Sequence, residues 1–130
     1  MSIKFVNPQD APQPAAEYSN LAIVPAGRRL LVLSGQIGNI LDGSIVKGLE
    51  SQYEQALANI KAIVASEGGN SDDIARITVF LTEEPTEFTR IGEANQKHFP
   101  SGPPAMTWIY VAGLFRPDIK VEIEAIAAVE

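Results

Sequence analysis

An amphipathic segment between residues 49 and 67 most constrains what this chain can fold into. Its apolar positions recur at steps of three and four residues, the spacing of one face of an α-helix. These positions are Leu49, Tyr53, Leu57, Ile60 and Val64. Gly68 and Gly69 follow and favour a left-handed cap that ends the helix. A helix with one apolar face needs a second layer to cover that face, so the rest of the chain must supply it.

A second helix is predicted to begin at Pro85, because proline is favoured at the first helical position. Pro100 and Gly102 are expected to stop it. Its shared face consists of Phe88, Ile91, Asn95 and Phe99.

Apolar runs on both sides of the two helices predict strands. Residues 21–24 and 30–33 flank Pro25-Ala26-Gly27-Arg28, which is the pattern of a β-hairpin. Residues 75–82 alternate between a deeply and a less deeply buried face. Further strands are expected at 106–112 and 120–128, with a short one at 3–6. Strands interrupted by two helices predict an α+β domain, a mixed sheet with both helices packed on one face.

Size and charge limit the classes of protein that fit. The chain has 130 residues and a mass of 14.0 kDa, so we expect a single domain spanning residues 1–130. The net charge is −6, and no run of cations is longer than Arg28-Arg29, which disfavours nucleic-acid binding. No apolar run approaches membrane-spanning length and no signal peptide precedes the domain, so a cytoplasmic protein without a membrane partner is expected.

The residue inventory also limits the chemistry. There are no cysteines, which excludes disulfides, thiolate nucleophiles and Cys-ligated metals. His98 is the single histidine and is expected to cap a helix C-terminus. We therefore expect no metal site.

The predicted faces of the last two strands suggest an oligomer. Side chains alternate along a strand, so Met106, Trp108 and Tyr110 share one face of the fifth strand. On the last strand Glu122, Glu124 and Ile126 do the same. We expect both sets on the sheet face without helices, where Met106, Trp108 and Glu122 would lie together. Large apolar groups left there predict a partner subunit and hence a homo-oligomer.

Several short motifs, in their order and spacing, strongly resemble the RidA/YjgF/YER057c/UK114 family over nearly the whole chain. They are Tyr18-Ser19, Ser34-Gly35-Gln36-Ile37, Gln52 with Asn59, Thr78-Val79-Phe80-Leu81-Thr82, Asn95 near Phe99-Pro100, Pro104-Ala105 and Val121-Glu122-Ile123-Glu124-Ala125-Ile126-Ala127. The resemblance implies a chorismate-mutase-like fold and a homotrimer with a central β-barrel. It also implies small-molecule clefts at the subunit interfaces and no cofactor.

Active members of that family hydrolyse enamines and imines, such as 2-aminoacrylate, to a ketoacid and ammonia. An arginine in their Pro-Ala-Arg-Ser segment binds the substrate carboxylate, and here the segment reads Pro104-Ala105-Met106-Thr107. A thioether offers neither positive charge nor a strong hydrogen bond. Losing a buried charge partner costs on the order of 2–5 kcal/mol, so binding of carboxylate substrates should weaken severely.

The resemblance assigns the remaining site positions. Glu122 is the implied catalytic residue, positioning the attacking water as general acid or base. The implied substrate-binding residues are Tyr18, Ser34, Gly35, Asn95, Met106, Thr107 and Trp108. Trp108 replaces a small residue and would fill part of the pocket. Met106, Trp108 and Glu122 together predict a neutral or cationic, partly apolar ligand.

Alternative interpretations stay open beside these assignments. Without the resemblance, Glu122 would be read as a solvated or interface carboxylate, and Met106 and Trp108 as packing residues. Arg116, Arg90 or Lys97 could replace the missing cation. The chain is then either an enamine or imine deaminase-type hydrolase, or a non-catalytic metabolite-binding or regulatory trimer. A third activity attributed to parts of the family, endoribonuclease activity, is disfavoured by the acidic charge.

Overall fold

Two sheets and two helices make up the fold in the computed structural model, which describes residues 1–130. The elements in chain order are β1 (Lys4–Val6), β2 (Leu21–Ile23), β3 (Arg29–Ile37), α1 (Leu49–Ser66), a 3₁₀ turn (Ser71–Asp73), β4 (Ile74–Leu81), α2 (Phe88–His98), β5 (Ala105–Tyr110) and β6 (Val121–Val129). The predicted α+β class is therefore confirmed. Neither helix is both long and apolar enough to cross a membrane.

The larger sheet has the strand order β3-β6-β4-β5. β6 runs antiparallel to β3 and to β4, whereas β4 and β5 are parallel. A parallel pair needs a crossover, and α2 provides it between β4 and β5. Apolar residues of both helices and of one sheet face form a single core, so the mixed sheet with two helices on one face is confirmed.

Helix α1 buries the face that its periodicity predicts. Tyr53, Ile60 and Val64 are fully buried against the sheet. The chain leaves the helix through Gly68, whose φ of 83° lies in the left-handed region. The Gly68 and Gly69 amides donate to the carbonyls of Ala65 and Val64, which confirms the predicted glycine cap.

The predicted hairpin between residues 21–24 and 30–33 is wrong. β2 pairs antiparallel with β1, with Val6 opposite Leu21, while β3 pairs with β6. The strand at residues 3–6 is thus confirmed. It pairs with β2, which the predicted hairpin would have paired with β3. The Pro25–Arg28 segment instead carries the chain from one sheet to the other. Arg28 fixes this passage by donating to the Ala128 carbonyl at 2.9 Å and to Asp73 at 2.7 Å.

Helix α2 begins three positions later than Pro85 predicts, at Phe88. The Oε1 atom of Glu50, a residue of α1, accepts hydrogen bonds from the amides of Thr86 at 3.0 Å and Glu87 at 3.1 Å. These amides are satisfied by a neighbouring helix rather than by a cap within their own segment. The start of α2 therefore depends on a tertiary contact.

The predicted placement of Met106, Trp108 and Glu122 on one sheet face is wrong. Met106 and Trp108 lie beside Ile77 and Val79 of β4, whose side chains belong to the core under the helices. Glu122 lies opposite Phe80, one position out of phase, and therefore points to the other face. Side chains alternate within each strand as predicted. The register of β5 and β6 against β4, however, places the two predicted sets on opposite faces of the sheet.

The face that carries Glu122, Glu124 and Ile126 is called the open face below. It also carries Leu30 and Val32 of β3, whose exposed fractions are 61% and 75%. Contiguous exposed apolar side chains of this kind support the prediction of a subunit interface on this face.

Candidate active site

Glu122 lies over a β-bulge on the open face. The register of β3 against β6 shifts by one residue between Leu33 and Gln36, which places Ser34 and Gly35 in the bulge. A Cβ atom at position 35 would collide with the Glu122 carboxylate, so glycine is what allows this close approach. The structure therefore brings together three of the predicted site residues, Ser34, Gly35 and Glu122.

A second group of predicted residues lies on the helix-covered face, around Tyr53. The Tyr53 hydroxyl donates to Asn95 Oδ1 at 2.5 Å, and the rings of Tyr53 and Trp108 have centroids 5.8 Å apart at 47°. Met106 packs against the same core. Burial raises the pKa of the Tyr53 hydroxyl, so it stays protonated and acts as a donor.

Tyr53 was not among the predicted site residues. The periodicity of α1 predicts only that Tyr53 is buried, because it does not distinguish a packing aromatic from one that also positions a polar group. The sequence feature that points to a polar role for Tyr53 is its phenol group, because a buried tyrosine hydroxyl needs a hydrogen-bond partner. That partner is Asn95, a predicted site residue.

Tyr18 lies on an extended arm, residues 7–20, which joins β1 to β2 and passes the beginning of β5. Ser19 anchors this arm, since its Oγ donates to the Pro103 carbonyl at 2.7 Å and its amide to the Pro104 carbonyl at 3.0 Å. The Tyr18 hydroxyl accepts from the Ala15 amide at 3.1 Å. Ser19 forms a parallel bridge with Ala105, the residue before Met106. Tyr18 therefore lies one residue further from Met106 along this pairing.

Glu17 is a second residue that the sequence reasoning missed. Its carboxylate lies against Gly92 of α2, 3.4 Å from where a Cβ would stand, and it lines a cavity of about 210 Å³ with Asn95 and Phe99. Its negative charge adds to the burial that raises the pKa of the Tyr53 hydroxyl. The charged group that lies with Asn95 in this cavity is therefore a carboxylate, that of Glu17.

Thr107 points to the face opposite Met106. Its hydroxyl accepts a hydrogen bond from the Arg76 guanidinium, and Thr78 lies beside it on β4. Within one chain the structure thus separates the predicted residues other than Tyr18 into two groups. Ser34, Gly35, Thr107 and Glu122 belong to the open face, and Asn95, Met106 and Trp108 belong to the helix-covered face.

The three cations considered as replacements for the missing arginine have acidic partners elsewhere. Arg116 forms a two-point contact with Asp118 at 3.1 and 3.0 Å. The Lys97 ammonium lies 2.6 Å from Glu54, and Arg90 lies 3.5 Å from Glu87. Each of these three cations is therefore paired with a carboxylate in this arrangement.

Comparison with known proteins agrees with the fold. The family model described as endoribonuclease L-PSP matches residues 8–129. A 2-iminobutanoate/2-iminopropanoate deaminase of Dermatophagoides farinae is 33% identical over 92% of this chain and 91% of its own length. The chain belongs to the RidA/YjgF/UK114 family, as its motifs predict.

Two solved structures show the same architecture. YyfB, a Rid family protein of unknown function from Yersinia pestis, superposes with a TM-score of 0.87 at 26% identity, covering 99% of this chain and all of that one (100%). TdcF of E. coli, solved with bound serine, gives a TM-score of 0.69 at 33% identity, covering 98% and 99% of the two chains.

Proposed function

We propose that the protein is a cytoplasmic homotrimer that binds a small metabolite in clefts between subunits and hydrolyses an enamine or imine that carries no carboxylate. One observation carries the proposal: Glu122 and the Met106–Trp108 pair lie on opposite faces of one sheet. A ligand cannot contact both from within one chain. A cleft shared by two copies supplies Glu122 from one subunit and Met106 from the next.

Glu122 has the role of general base in this reaction. It takes a proton from water as the oxygen attacks the C=N carbon, and it returns this proton to the nitrogen, which gives a carbinolamine. It then moves the remaining hydroxyl proton to the same nitrogen, which leaves as ammonia while the carbonyl forms. The Gly35 bulge supports this role by leaving the space over the strand that the carboxylate occupies. A positioned acid–base group of this kind contributes about 10²- to 10⁴-fold in rate.

The other half of the cleft determines which substrate binds. Met106 removes the cation that would bind a carboxylate, and Trp108 adds an aromatic face beside it. Glu17, at the same end, would repel a carboxylate and attract an ammonium group. These features favour a neutral or cationic, partly apolar substrate.

The deaminase named among the relatives supports the reaction type, and the serine bound to TdcF supports a ligand of amino-acid size. The net charge of −6 gives no support to an endoribonuclease activity for this chain.

An imine hydrolysis assay tests the proposal. The substrates are 2-iminopropanoate, which carries a carboxylate, and an uncharged imine of similar size. The native chain should hydrolyse the uncharged imine better, and Met106→Arg should gain activity on 2-iminopropanoate. Met106→Leu, which adds no charge, is the matched control and should keep the native preference. A native preference for the small monocarboxylate would reject the proposal.

A second candidate is a metabolite-binding trimer without catalysis. The packing of Trp108 on Tyr53 favours it, because these rings occupy space that an active cleft could leave for substrate. Calorimetry with a stable amine analogue of the uncharged imine, together with the hydrolysis assay, distinguishes the hydrolase from the non-catalytic binding protein. Saturable binding together with no turnover of either imine would select the binding protein.

A further inference from the structure

A second cavity lies on the solvent side of the helix layer, between α1 and the C-terminal end of α2. It has a volume of about 410 Å³, which is enough for a small metabolite. Its polar lining consists of Lys47, Ser51, Glu54, Gln55, Lys97 and His98. Glu122 lies on the opposite face of the sheet, so this cavity is separate from the open-face half of the proposed active site.

The single histidine of the chain contributes to this cavity and has a defined tautomer. The Lys61 Nζ atom lies 3.3 Å from His98 Nδ1. An ammonium group can only donate, so Nδ1 must be the accepting nitrogen of the ring. Burial, assisted by the charges of Lys61 and Lys97 and opposed by Glu54, holds the pKa of His98 below its usual value, so the ring is neutral. The proton of the neutral ring is therefore on Nε2.

That Nε2–H group is a buried donor without an acceptor. His98 is 5% exposed, and its Nε2 atom has no hydrogen-bond partner. The nearest carboxylate oxygen, Glu54 Oε1, is 3.8 Å away, which is too long for a hydrogen bond. This oxygen instead contacts the Lys97 ammonium at 2.6 Å. Unpaired buried donors are uncommon and call for an explanation.

The charges around the cavity are predominantly positive. Lys47 and Lys97 line it, Lys61 contacts His98, and Arg90 donates to Ser51 Oγ at 3.0 Å. Glu54 is the one acid in the lining. In a chain with a net charge of −6, this is a local concentration of cations. Such a concentration attracts anions.

We propose that this cavity binds a small oxyanion, a carboxylate or a phosphate group, which accepts the hydrogen bond of His98 Nε2–H and pairs with Lys47 and Lys97. Glu54 and Lys97 cover the approach to His98. Their side chains are 39% and 68% exposed, so Glu54 can turn outward to admit the anion while Lys97 pairs with it. An anion oxygen then satisfies the donor that Glu54 leaves unpaired.

The imidazole of His98 reports binding directly, because no other histidine contributes a signal. Long-range ¹H–¹⁵N spectra of the full chain at pH 7.5 are recorded during titration with inorganic phosphate and, separately, with sodium acetate. Sodium chloride holds the ionic strength constant. We expect a saturable shift of the Nε2 resonance with one anion or with both. Saturation by phosphate alone assigns a phosphate ligand, and saturation by acetate alone assigns a carboxylate.

Two variants identify the cations that take part. Lys47→Met and Lys97→Met should each weaken binding by about two- to fivefold, the range expected for one partly exposed ion pair. Lys120→Met, whose lysine lies 3.9 Å from Glu83 and does not line the cavity, should leave binding unchanged. The proposal is overturned if neither anion gives a saturable shift, or if Lys47→Met and Lys120→Met behave alike.

Discussion

Glu122 lies so close to Gly35 that its carboxylate occupies the space where any other residue would place a Cβ atom. The extra residue of the β3 bulge produces this approach, because it moves Ser34 and Gly35 out of the regular pairing with β6. The backbone of the neighbouring strand therefore leaves the space that the proposed general base occupies.

Gly35→Ala should abolish most of the hydrolysis while leaving the fold intact. The added methyl group forces the Glu122 carboxylate away from its position, and a misplaced general base loses on the order of 10²-fold in rate. The measurement is kcat on the uncharged imine, together with the Tm. Gly113→Ala is the matched control, because a Cβ at position 113 meets no atom within 4 Å. Unchanged kcat in Gly35→Ala would show that Glu122 is not the base.

The sequence predicts the elements of the fold more fully than it predicts how they are paired. The helices, the glycine cap and all six strands follow from local periodicity and turn residues. The partner of β2 does not, because a run such as Leu21–Ile23 carries no information about which edge it will join.

The candidate site shows the same limit. Alternation correctly groups Met106 with Trp108 and Glu122 with Glu124. Whether these two groups share a face depends on the register of β5 and β6 against β4, which places Trp108 beside Val79 and Glu122 beside Phe80. A one-residue change in register would move one of the two groups to the other face of the sheet, and no local sequence pattern fixes that register.

Tyr53→Phe should lower the free energy of unfolding by about 1–2 kcal/mol, since it leaves the buried Asn95 Oδ1 without its donor. Urea denaturation measures the change. The matched control is Tyr110→Phe, because the Tyr110 side chain is half exposed. A double-mutant cycle with Asn95→Ala should give a coupling energy of about 1 kcal/mol. Additive effects would mean that the hydrogen bond contributes nothing.

Glu50→Gln should destabilise the protein at neutral pH by about 1–3 kcal/mol, the range for hydrogen bonds to a charged group. Burial would raise the pKa of Glu50, but hydrogen bonds from the amides of Glu87 and Thr86 hold the pKa below 4.5. The carboxylate thus stabilises the fold above that pH, and the contribution is lost as the pH falls below it.

Urea denaturation at pH 7 and at pH 3.5 checks this expectation. The difference in free energy of unfolding between native chain and Glu50→Gln should shrink at the lower pH. Glu84→Gln, which changes an exposed glutamate, should leave the stability near the native value at pH 7. A Glu50→Gln difference that does not depend on pH would assign the effect to side-chain packing.

The protein should lose stability as the pH is lowered through 6.5, because of His98. Burial and the charges of Lys61 and Lys97, partly offset by Glu54, hold the pKa of His98 below 6.5 in the folded chain. Below pH 6.5 the unfolded chain therefore binds a proton that the folded chain does not, and the free energy of unfolding falls until the folded pKa is reached. Urea denaturation from pH 7.5 to 5 measures the slope. His98→Gln keeps a polar side chain that does not titrate, so its slope over this range should be smaller. Equal slopes for the native chain and His98→Gln would show that His98 has the same pKa in both states.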